Sequence, residues 1–364
     1  MEAFIQFPQA HYAGDENFVP PIIVERREFF DRNKNPYFKG ARAAYFLARR
    51  RGEVVGRIAA VNDSRYNQFH GTMVAFFGMF ESQNDPGLAA ALFKAAAEWS
   101  RREGLRQMLG PLNLCFHHEA GLLIDGFDSP ASMSMPYNPP YYESLFEANG
   151  LKKLKDLFTF EVLATQTMPE KVVRLAERAR TSGGVRVRKV DVRDGFGEMR
   201  RIKAIYDSMI KPGFGFSPIA EAEWEGMVNR LRPLISLRPE LSLIAEVGGT
   251  PVGFSITVPE MKEPLKAADG HLSRFGLPVG LAKLLWATRK VDRLRLLLFG
   301  IQPGFRRRAI DAVLAYETYR EAIRLGYESC EIGWVQEDQN LILRTITVAG
   351  ARRIKSYRIY ERAI

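Results

Sequence analysis

Short apolar runs with interspersed polar positions recur along the chain and predict an α/β protein. In AAYFLARRRGEVVGRIAAV, from Ala43 to Val61, two such runs flank a turn that contains glycine, which is the pattern of a β-hairpin. LSLIAEVGGTPVGFSITV, from Leu241 to Val258, has the same pattern. A hairpin is therefore predicted twice.

Each predicted hairpin precedes a strand and a long helix. The strands are Thr72 to Phe80 and Leu294 to Ile301, both with Phe-Gly near the end, and the helices run from Pro86 to Gly104 and from Pro303 to Gly326. Proline near the first turn and a late glycine support these helix bounds. The recurring order of elements indicates an internal duplication.

A basic strand closes each series, GLKKLKDLFTF from Gly150 and GARRIKSYRIY from Gly350. We therefore predict two lobes, residues 1–165 and 184–364, joined by a helix and a turn over residues 166–183. Each lobe is predicted to be an α/β unit with a mixed, mostly antiparallel sheet flanked by helices.

Composition narrows the class of protein. The chain has 364 residues, 46% of them hydrophobic, which is enough for a core in each lobe. No apolar run approaches the roughly 20 residues that cross a bilayer, and the N-terminus lacks a basic stretch followed by an apolar one, so we expect a cytoplasmic protein. Cys115 and Cys330 lie outside any CxxC or His-rich cluster, which predicts neither disulfides nor a metal site.

Basic residues outnumber acidic ones by 52 to 42, for a net charge of +10. This excess favours an anionic partner: nucleic acid, acidic lipid headgroups or a phosphorylated cofactor. In GIQPGFRRRAIDAVL, from Gly300 to Leu314, a strand ends, three arginines follow and a helix begins. Backbone N–H groups at such a helix start can bind a pyrophosphate. The equivalent turn of the first lobe, from Glu81 to Leu92, has two carboxylates and no arginine, so the second lobe is expected to hold the cofactor.

This order of elements, with a proline-ended central strand that leads into an arginine-containing turn and a helix, resembles the GNAT superfamily of acyl-CoA N-acyltransferases. The segments NPYF near Asn35, GLLIDGFDSP from Gly121, PYNPPYYESLFEANG from Pro136 and GWVQEDQN from Gly333 resemble a bacterial GNAT-like group that includes the bacterial ceramide synthases. The resemblance implies two tandem GNAT-like lobes, with acyl-CoA or an acyl carrier protein as donor and no metal. It also implies transfer of a long-chain acyl group to a hydrophobic amine, with a sphingoid base as one candidate.

The cofactor loop of that superfamily reads Arg/Gln-x-x-Gly-x-Gly/Ala, and Arg306 to Asp311 occupy its positions. Ala309 replaces the first glycine, and Asp311 replaces the small residue. Carbonyl polarisation in the superfamily comes from a backbone N–H at a bulge, expected here around Phe299 to Gln302. The positions expected to contact the cofactor are Ile301, Gln302, Arg306, Arg307, Arg308, Ala309, Ile310 and Asn340.

Acyl transfer to an amine needs a base for the ammonium and an acid for the departing thiolate. The densest titratable cluster is CFHHEAG, with His117, His118 and Glu119. Histidine titrates near neutral pH, and a neighbouring carboxylate can orient it. Adjacent residues of an extended segment point to opposite sides, so at most His117 and Glu119 share a face.

Two further candidates lie near the C-terminus. Glu337 follows the strand ESCEIGWV and is a second candidate base, although Asp338 or Asn340 in the same turn could simply cap the next helix. Tyr357 or Tyr360 is the candidate general acid, because GNAT enzymes often use a late tyrosine.

The largest difference between the lobes is an insertion at residues 261–293. Its centre, from Phe275 to Trp286, is dominated by Leu, Val, Phe and Trp, and basic residues surround it. An interfacial helix or an acyl-chain lid fits this pattern, and so does a helix that covers the core. The first interpretation predicts peripheral contact with an anionic membrane surface, on the inner membrane. The basic residues are Arg274, Lys283, Arg289, Lys290 and Arg293.

Two other functions stay open from the sequence. A tandem GNAT-fold transferase that takes an aminoacyl group from tRNA would fit the basic charge, but the sequence has no long helical arm or Lys/Arg stripe with interleaved aromatics, so no nucleic-acid partner is expected. Alternatively, a catalytically inactive lobe pair that binds acyl-CoA or lipid would account for Ala309 and Asp311.

Overall fold

The structure is a computed structural model and describes residues 1–273 and 276–364. Arg274 and Phe275, which the sequence places in the insertion, lie outside the described residues. The strands are β1 (Ala41–Arg50), β2 (Glu53–Asp63), β3 (Val74–Ser82), β4 (Gln107–Gly110), β5 (Leu112–Asn113), β6 (Glu119–Ala120), β7 (Leu122–Asp125), β8 (Lys152–Leu163), β9 (Val185–Lys189), β10 (Ser242–Val247), β11 (Thr250–Pro259), β12 (Arg293–Ile301), β13 (Ser329–Gln336) and β14 (Arg352–Ala363).

Helices cover the sheet and connect its strands. They are α1 (Glu2–His11), α2 (Ile23–Phe30), α3 (Ser64–His70), α4 (Pro86–Arg102), α5 (Tyr142–Ala148), α6 (Glu170–Thr181), α7 (Gly195–Met209), α8 (Glu221–Leu237), α9 (Lys262–Ala268), α10 (Val279–Thr288), α11 (Ile310–Arg324) and α12 (Asn340–Val348). No helix within the described ranges is long and apolar enough to cross a membrane.

The strands form a 12-stranded sheet in the order β1-β2-β3-β4-β14-β8-β13-β12-β11-β10-β9, with β7 also on β14, while β5 and β6 form a small second sheet. Among its strand pairs within residues 1–273 and 276–364, only β3–β4 and β12–β13 are parallel. The predicted α/β class with a mixed, mostly antiparallel sheet is therefore confirmed. The two predicted hairpins are β1–β2 and β10–β11.

The last strand of each half of the chain lies beside strands of the other half. β14 pairs with β4 on one side and β8 on the other, and β8 in turn pairs with β13. Tyr357 and Ile359 of β14 accordingly belong to the same buried cluster as Val61 and Phe76 of the first half. Because the sheet runs without a break through both halves, neither half closes its own sheet.

Both parallel pairs are short. β3 and β4 pair only over Val74–Phe76, and β12 and β13 pair only over Arg293–Leu296. Beyond these residues neither pair continues its ladder, and we call the places where the ladders end the first-half wedge and the second-half wedge. The first-half wedge is filled, since the Leu112 backbone packs closely against Gly78 of β3.

The bulge in β12 lies earlier than the sequence predicted. The register shifts between Leu296 and Leu298, so Leu297 is the extra residue rather than one of residues 299–302. The bulge sits where β12 leaves β13, and Gly300 stays in the ladder with β11. A Cβ on Gly300 would lie 2.6 Å from the Met209 Cε. Gly300 thus packs closely against the Met209 and Phe254 side chains and is not part of the bulge.

The helix after β12 also begins later than predicted. Pro303–Phe305 form a 3₁₀ turn, and α11 starts only at Ile310 because Ala309 adopts a left-handed conformation with φ 55°, which a helix cannot pass through. In the first half, by contrast, α4 starts at Pro86 as predicted.

Candidate active site

The second-half wedge leads into the junction of β12 and α11. The Ile301 N–H donates to the Met209 sulfur at 3.2 Å, and the Gln302 N–H donates to the Val252 carbonyl at 2.9 Å. After the 3₁₀ turn, Arg306 to Arg308 are exposed. These three arginines make no ion pair within the part of the chain that the structure describes.

The backbone conformation of this junction and the positive charge of its arginines suit the binding of an anionic group. Ala309 adopts the left-handed conformation that glycine favours, so the loop has its turn without the glycine of the GNAT pattern. No side chain caps α11, which leaves N–H groups of its first turn available to a pyrophosphate. Asp311 is half-buried in that turn and has no ion-pair partner among the described residues. Its charge is the one feature here that opposes an anion.

Apolar side chains are found on elements near the second-half wedge. Phe299 of β12 is 40% exposed, and Leu341, next to Asn340 at the start of α12, is 78% exposed. On the β13 side, the Trp334 ring stacks on Phe216 with centroids 5.1 Å apart. An acyl chain or a pantetheine arm would meet apolar surface there.

The three residues of the predicted cluster, His117, His118 and Glu119, have side chains in three different environments. The His117 Nε2 is 2.7 Å from the Tyr206 hydroxyl of α7, whereas the His118 ring packs edge-on against Phe29 and Tyr37. Burial lowers the pKa of His117 to about 4 and that of His118 to about 3. Both rings are therefore neutral and only weakly basic at pH 7.

The side chain of Glu119 has other partners than the two histidines. Its carboxylate pairs with Arg26 and accepts a hydrogen bond from the Asn113 amide. Burial acts to raise the pKa of Glu119, but Arg26 and Asn113 outweigh it and lower the pKa overall. Glu119 is thus an ionised carboxylate, and its side chain is 21% exposed.

That exposed part of Glu119 lines a cavity of about 160 Å³, which we call the first-half cavity. It lies at the first-half wedge. Asn113 of β5 occupies the wedge itself and accepts the Met79 N–H at 2.7 Å. The walls come from the N-terminal segment, the loop of residues 131–137 and helix α9. The cavity thus joins both halves of the chain.

A buried charge network that the sequence did not reveal forms the floor of this cavity. Glu81 accepts hydrogen bonds from the hydroxyls of Tyr12 and Tyr142 and lies 3.5 Å from the Arg57 guanidinium. Burial raises the pKa of Glu81 despite Arg57. The segment from Glu81 to Leu92 contains no arginine, but Arg57 is the direct cross-strand partner of Glu81. The register of β2 on β3 was the signal that could have revealed the pair.

Glu337 has different partners from those of this network. Its carboxylate is 2.7 Å from the Lys153 ammonium and accepts the Asp156 N–H at 3.2 Å. Asp338 pairs with Lys155 instead of capping a helix, and α12 has Gln339 at its N-cap position with no side-chain cap. The expected cap by Asp338 or Asn340 is therefore absent.

Tyr357 lies in the core at the centre of the sheet. Its side chain is fully buried, and its hydroxyl has no hydrogen-bond partner among the described residues. Burial, followed by the carboxylates of Glu331 and Glu260, raises its pKa. It does not line the first-half cavity. The other candidate, Tyr360, donates to Glu143 at 3.3 Å.

The insertion forms two helices with different roles. α9 contacts the N-terminal segment, where the Lys266 ammonium donates to the Glu16 carbonyl, and it lines the first-half cavity. α10 packs on α9 and turns apolar side chains to solvent, with Trp286 60% exposed. The other exposed apolar residues of this surface are Leu277, Val279, Leu281 and Leu285.

Comparison with known proteins gives relatives over the whole chain, although no protein-family model matches. The bacterial ceramide synthase of Caulobacter vibrioides is 32% identical over 371 residues, covering 100% of this chain and 95% of that protein. Protein YghO of Escherichia coli is 31% identical, covering 100% and 93%. A tandem GNAT protein from the clavulanic acid biosynthesis pathway has a TM-score of 0.56 at 11% identity, covering 100% of this chain and 94% of that one.

The sheet order and the structural similarity define a protein of the tandem GNAT fold. Identity of 32% over the full length shows the closer relationship: the chain belongs to the GNAT-like family that includes the bacterial ceramide synthase. This membership supports N-acyltransferase activity.

Proposed function

We propose that the protein transfers a long-chain acyl group from an acyl thioester to the amine of a lipidic acceptor, with a sphingoid base as the leading candidate. The observation that carries the proposal is the full-length identity of 32% to a protein named as a ceramide synthase. In the reaction, the carbon–sulfur bond of the thioester breaks and a carbon–nitrogen bond forms. The ammonium proton passes to a base, and the thiolate takes up a proton.

The donor, acyl-CoA, is proposed to lie along the second-half wedge with its pyrophosphate at the start of α11. The left-handed Ala309, the uncapped helix and the exposed arginines support this placement. A contact of the donor with Ile301, Gln302 and Asn340 belongs to the same proposal.

For the base, position favours Glu119 and Glu337. Basicity does not decide, because burial lowers the pKa values of His117 and His118, and Arg26 and Asn113 lower that of Glu119. Of the two carboxylates, Glu119 lines a cavity that could hold an acceptor.

Peripheral contact with an anionic membrane is part of the proposal. The apolar surface of α10 is bordered by the exposed side chains of Lys283, Arg289 and Lys290, and the Lys290 ammonium lies 3.6 Å from the centroid of the Trp286 ring. Apolar and basic side chains together are typical of helices that lie in a membrane interface.

The test is to incubate the protein with palmitoyl-CoA and sphinganine and to search for the N-acyl product by mass spectrometry. Acetyl-CoA with a short polar amine is the control pair. We expect an N-palmitoyl product and no acetylated one. If no amine is acylated while CoA still binds, the protein is a binder without turnover. A salt-sensitive complex with aminoacyl-tRNA would instead favour the tRNA-dependent reaction.

A further inference from the structure

We infer that the first-half cavity holds the polar head of the acceptor, with Glu119 facing the amine and Lys262 facing an oxygen on the neighbouring carbon. The ligand class is a long-chain 2-amino alcohol or 2-amino ketone. The inference rests on the proposed function and adds to it the acceptor site and a residue that determines specificity.

Lys262 is the first observation. It begins α9, lines the cavity and is only 8% exposed. Its backbone N–H donates to Glu260 at 3.0 Å, but its ammonium makes no ion pair with any residue in the ranges 1–273 and 276–364. The ammonium is accessible from the cavity, and its donors are available for an acceptor there. An oxygen of the ligand would be that acceptor.

Glu119 is the second observation. Each of its oxygens receives one hydrogen bond from the protein, one from Arg26 and one from Asn113. A carboxylate oxygen can accept a second bond, and the exposed part of Glu119 reaches the cavity. Glu81, in contrast, is held by Tyr12 and Tyr142. The cavity therefore offers the Glu119 carboxylate to an amine and the Lys262 ammonium to an oxygen, beside the guanidinium groups of Arg26 and Arg57, which are paired with Glu119 and Glu81.

The lining also includes the mutually paired side chains of Arg57 and Glu81, and other parts of the wall are apolar, which fits a ligand with a hydrocarbon chain. Phe18, Phe30, Met133 and Leu265 form parts of the wall. Leu265 belongs to α9, against which the exposed apolar helix α10 packs. A single-chain lipid with its head at Glu119 and Lys262 would leave the cavity along the insertion.

The cavity also lies next to the proposed donor strand. Met133 lines the cavity and packs against the apolar cluster that includes Leu297 and Leu298 of β12. The Met133 N–H donates to Glu260 at 3.0 Å, and the neighbouring Ser132 hydroxyl donates to Glu331 of β13. One short loop therefore separates the acceptor cavity from the second-half wedge.

The test compares two acceptors of equal chain length, sphinganine and octadecylamine, with palmitoyl-CoA as donor. Lys262→Met should lower kcat/KM for sphinganine about thirtyfold, because a charge-assisted hydrogen bond is lost, and should change it less than threefold for octadecylamine. KM for palmitoyl-CoA should not change. Lys171→Met is the control, since Lys171 is exposed on α6 and does not line the cavity.

Glu119→Gln should lower kcat/KM for sphinganine and for octadecylamine to a similar degree, because both acceptors carry the amine that faces Glu119. The inference is overturned if Lys262→Met affects the two acceptors equally, if it leaves both unchanged, or if it raises KM for palmitoyl-CoA instead. Lys262→Gln, with its melting temperature measured, guards against a variant that merely unfolds.

Calorimetric binding of sphinganine without any donor separates this inference from the proposed function. If no amine is acylated but sphinganine binds the unmodified protein at least tenfold more tightly than Lys262→Met, the cavity assignment stands and the proposed reaction fails. If both proteins bind sphinganine equally, or neither binds it, the cavity assignment fails.

Discussion

The Arg295 Nη1 lies 2.6 Å from the Glu331 Oε1 on neighbouring parallel strands, one residue before β12 and β13 separate. Both side chains are less than a tenth exposed. The Ser132 hydroxyl binds the other oxygen of Glu331, so the pair also anchors the loop that walls the first-half cavity. This ion pair therefore lies at the narrow end of the second-half wedge, where β12 and β13 are still paired.

Loss of this pair should be costly. Glu331→Gln leaves Arg295 buried without a counter-charge, and we expect the free energy of unfolding to fall by about 3 kcal/mol. The same change at Glu321, which pairs with Arg324 on the surface, should cost less than about 1 kcal/mol. Urea titration of both variants measures the difference. Equal costs would mean that Arg295 finds another partner.

Because β8 and β14 each pair with strands of the other half, we can predict how the protein behaves when the chain is cut between the halves. Residues 1–182 and 184–364, produced together as separate chains, should form a stable heterodimer, because β8 and β14 pair across the halves. Each piece alone should aggregate, since it would expose unpaired strand edges. Size-exclusion chromatography distinguishes the outcomes. Two soluble monomers that do not associate would contradict the sheet order.

Asp311 should weaken the donor site electrostatically. Asp311→Asn removes a negative charge from the first turn of α11, and we expect acyl-CoA to bind severalfold more tightly, with a loss of stability of about 0.5 kcal/mol from the helix dipole. Calorimetry with CoA measures the affinity. Glu317→Gln, two turns further along α11, is the control. Unchanged affinity would place the pyrophosphate elsewhere.

Stability should fall in mild acid because of His117. Its pKa of about 4 in the folded protein lies below the ordinary value of 6.5. The unfolded chain therefore takes up a proton that the folded chain refuses, and stability is lost as pH falls from 6.5 toward 4. Between pH 7 and pH 5 the loss is about 2 kcal/mol for this histidine.

The variant His117→Gln tests this origin. It can still bond the Tyr206 hydroxyl, and it should reduce the difference in unfolding free energy between pH 7 and pH 5 by about 2 kcal/mol. His271→Gln is the control, because His271 is exposed. An unaltered pH dependence in the His117 variant would show that other groups cause it.

The apolar surface of α10 should bind anionic vesicles. Leu285→Gln combined with Trp286→Ser is expected to weaken binding to vesicles of phosphatidylglycerol and phosphatidylcholine about tenfold or more, because large apolar side chains no longer enter the interface. Ile323→Gln, a similar change at an exposed position of α11, should have no effect. Co-sedimentation at low and high salt measures binding, and salt should weaken the basic contribution. Equal binding by both variants would exclude α10 as the contact.

Local patterns in the sequence predicted many of the strands and helices. Alternating apolar positions and the glycines between them located both hairpins, and the same signals located β12, β13 and β14. The predictions of finer features were wrong where packing or backbone conformation decides the structure. The bulge at Leu297 follows from the separation of β12 and β13, and the late start of α11 follows from the conformation of Ala309.

The sequence by itself determined the elements, their duplication and the arginine-rich junction, because each of these depends on residues close together in the chain. Only the tertiary structure decided which strands exchange between the halves and which side chains meet. It separated His117, His118 and Glu119, although they are adjacent, and brought Glu119 to the same cavity as Lys262. Strand pairing and cavity formation depend on how the whole chain buries its apolar surface, and no local pattern encodes that.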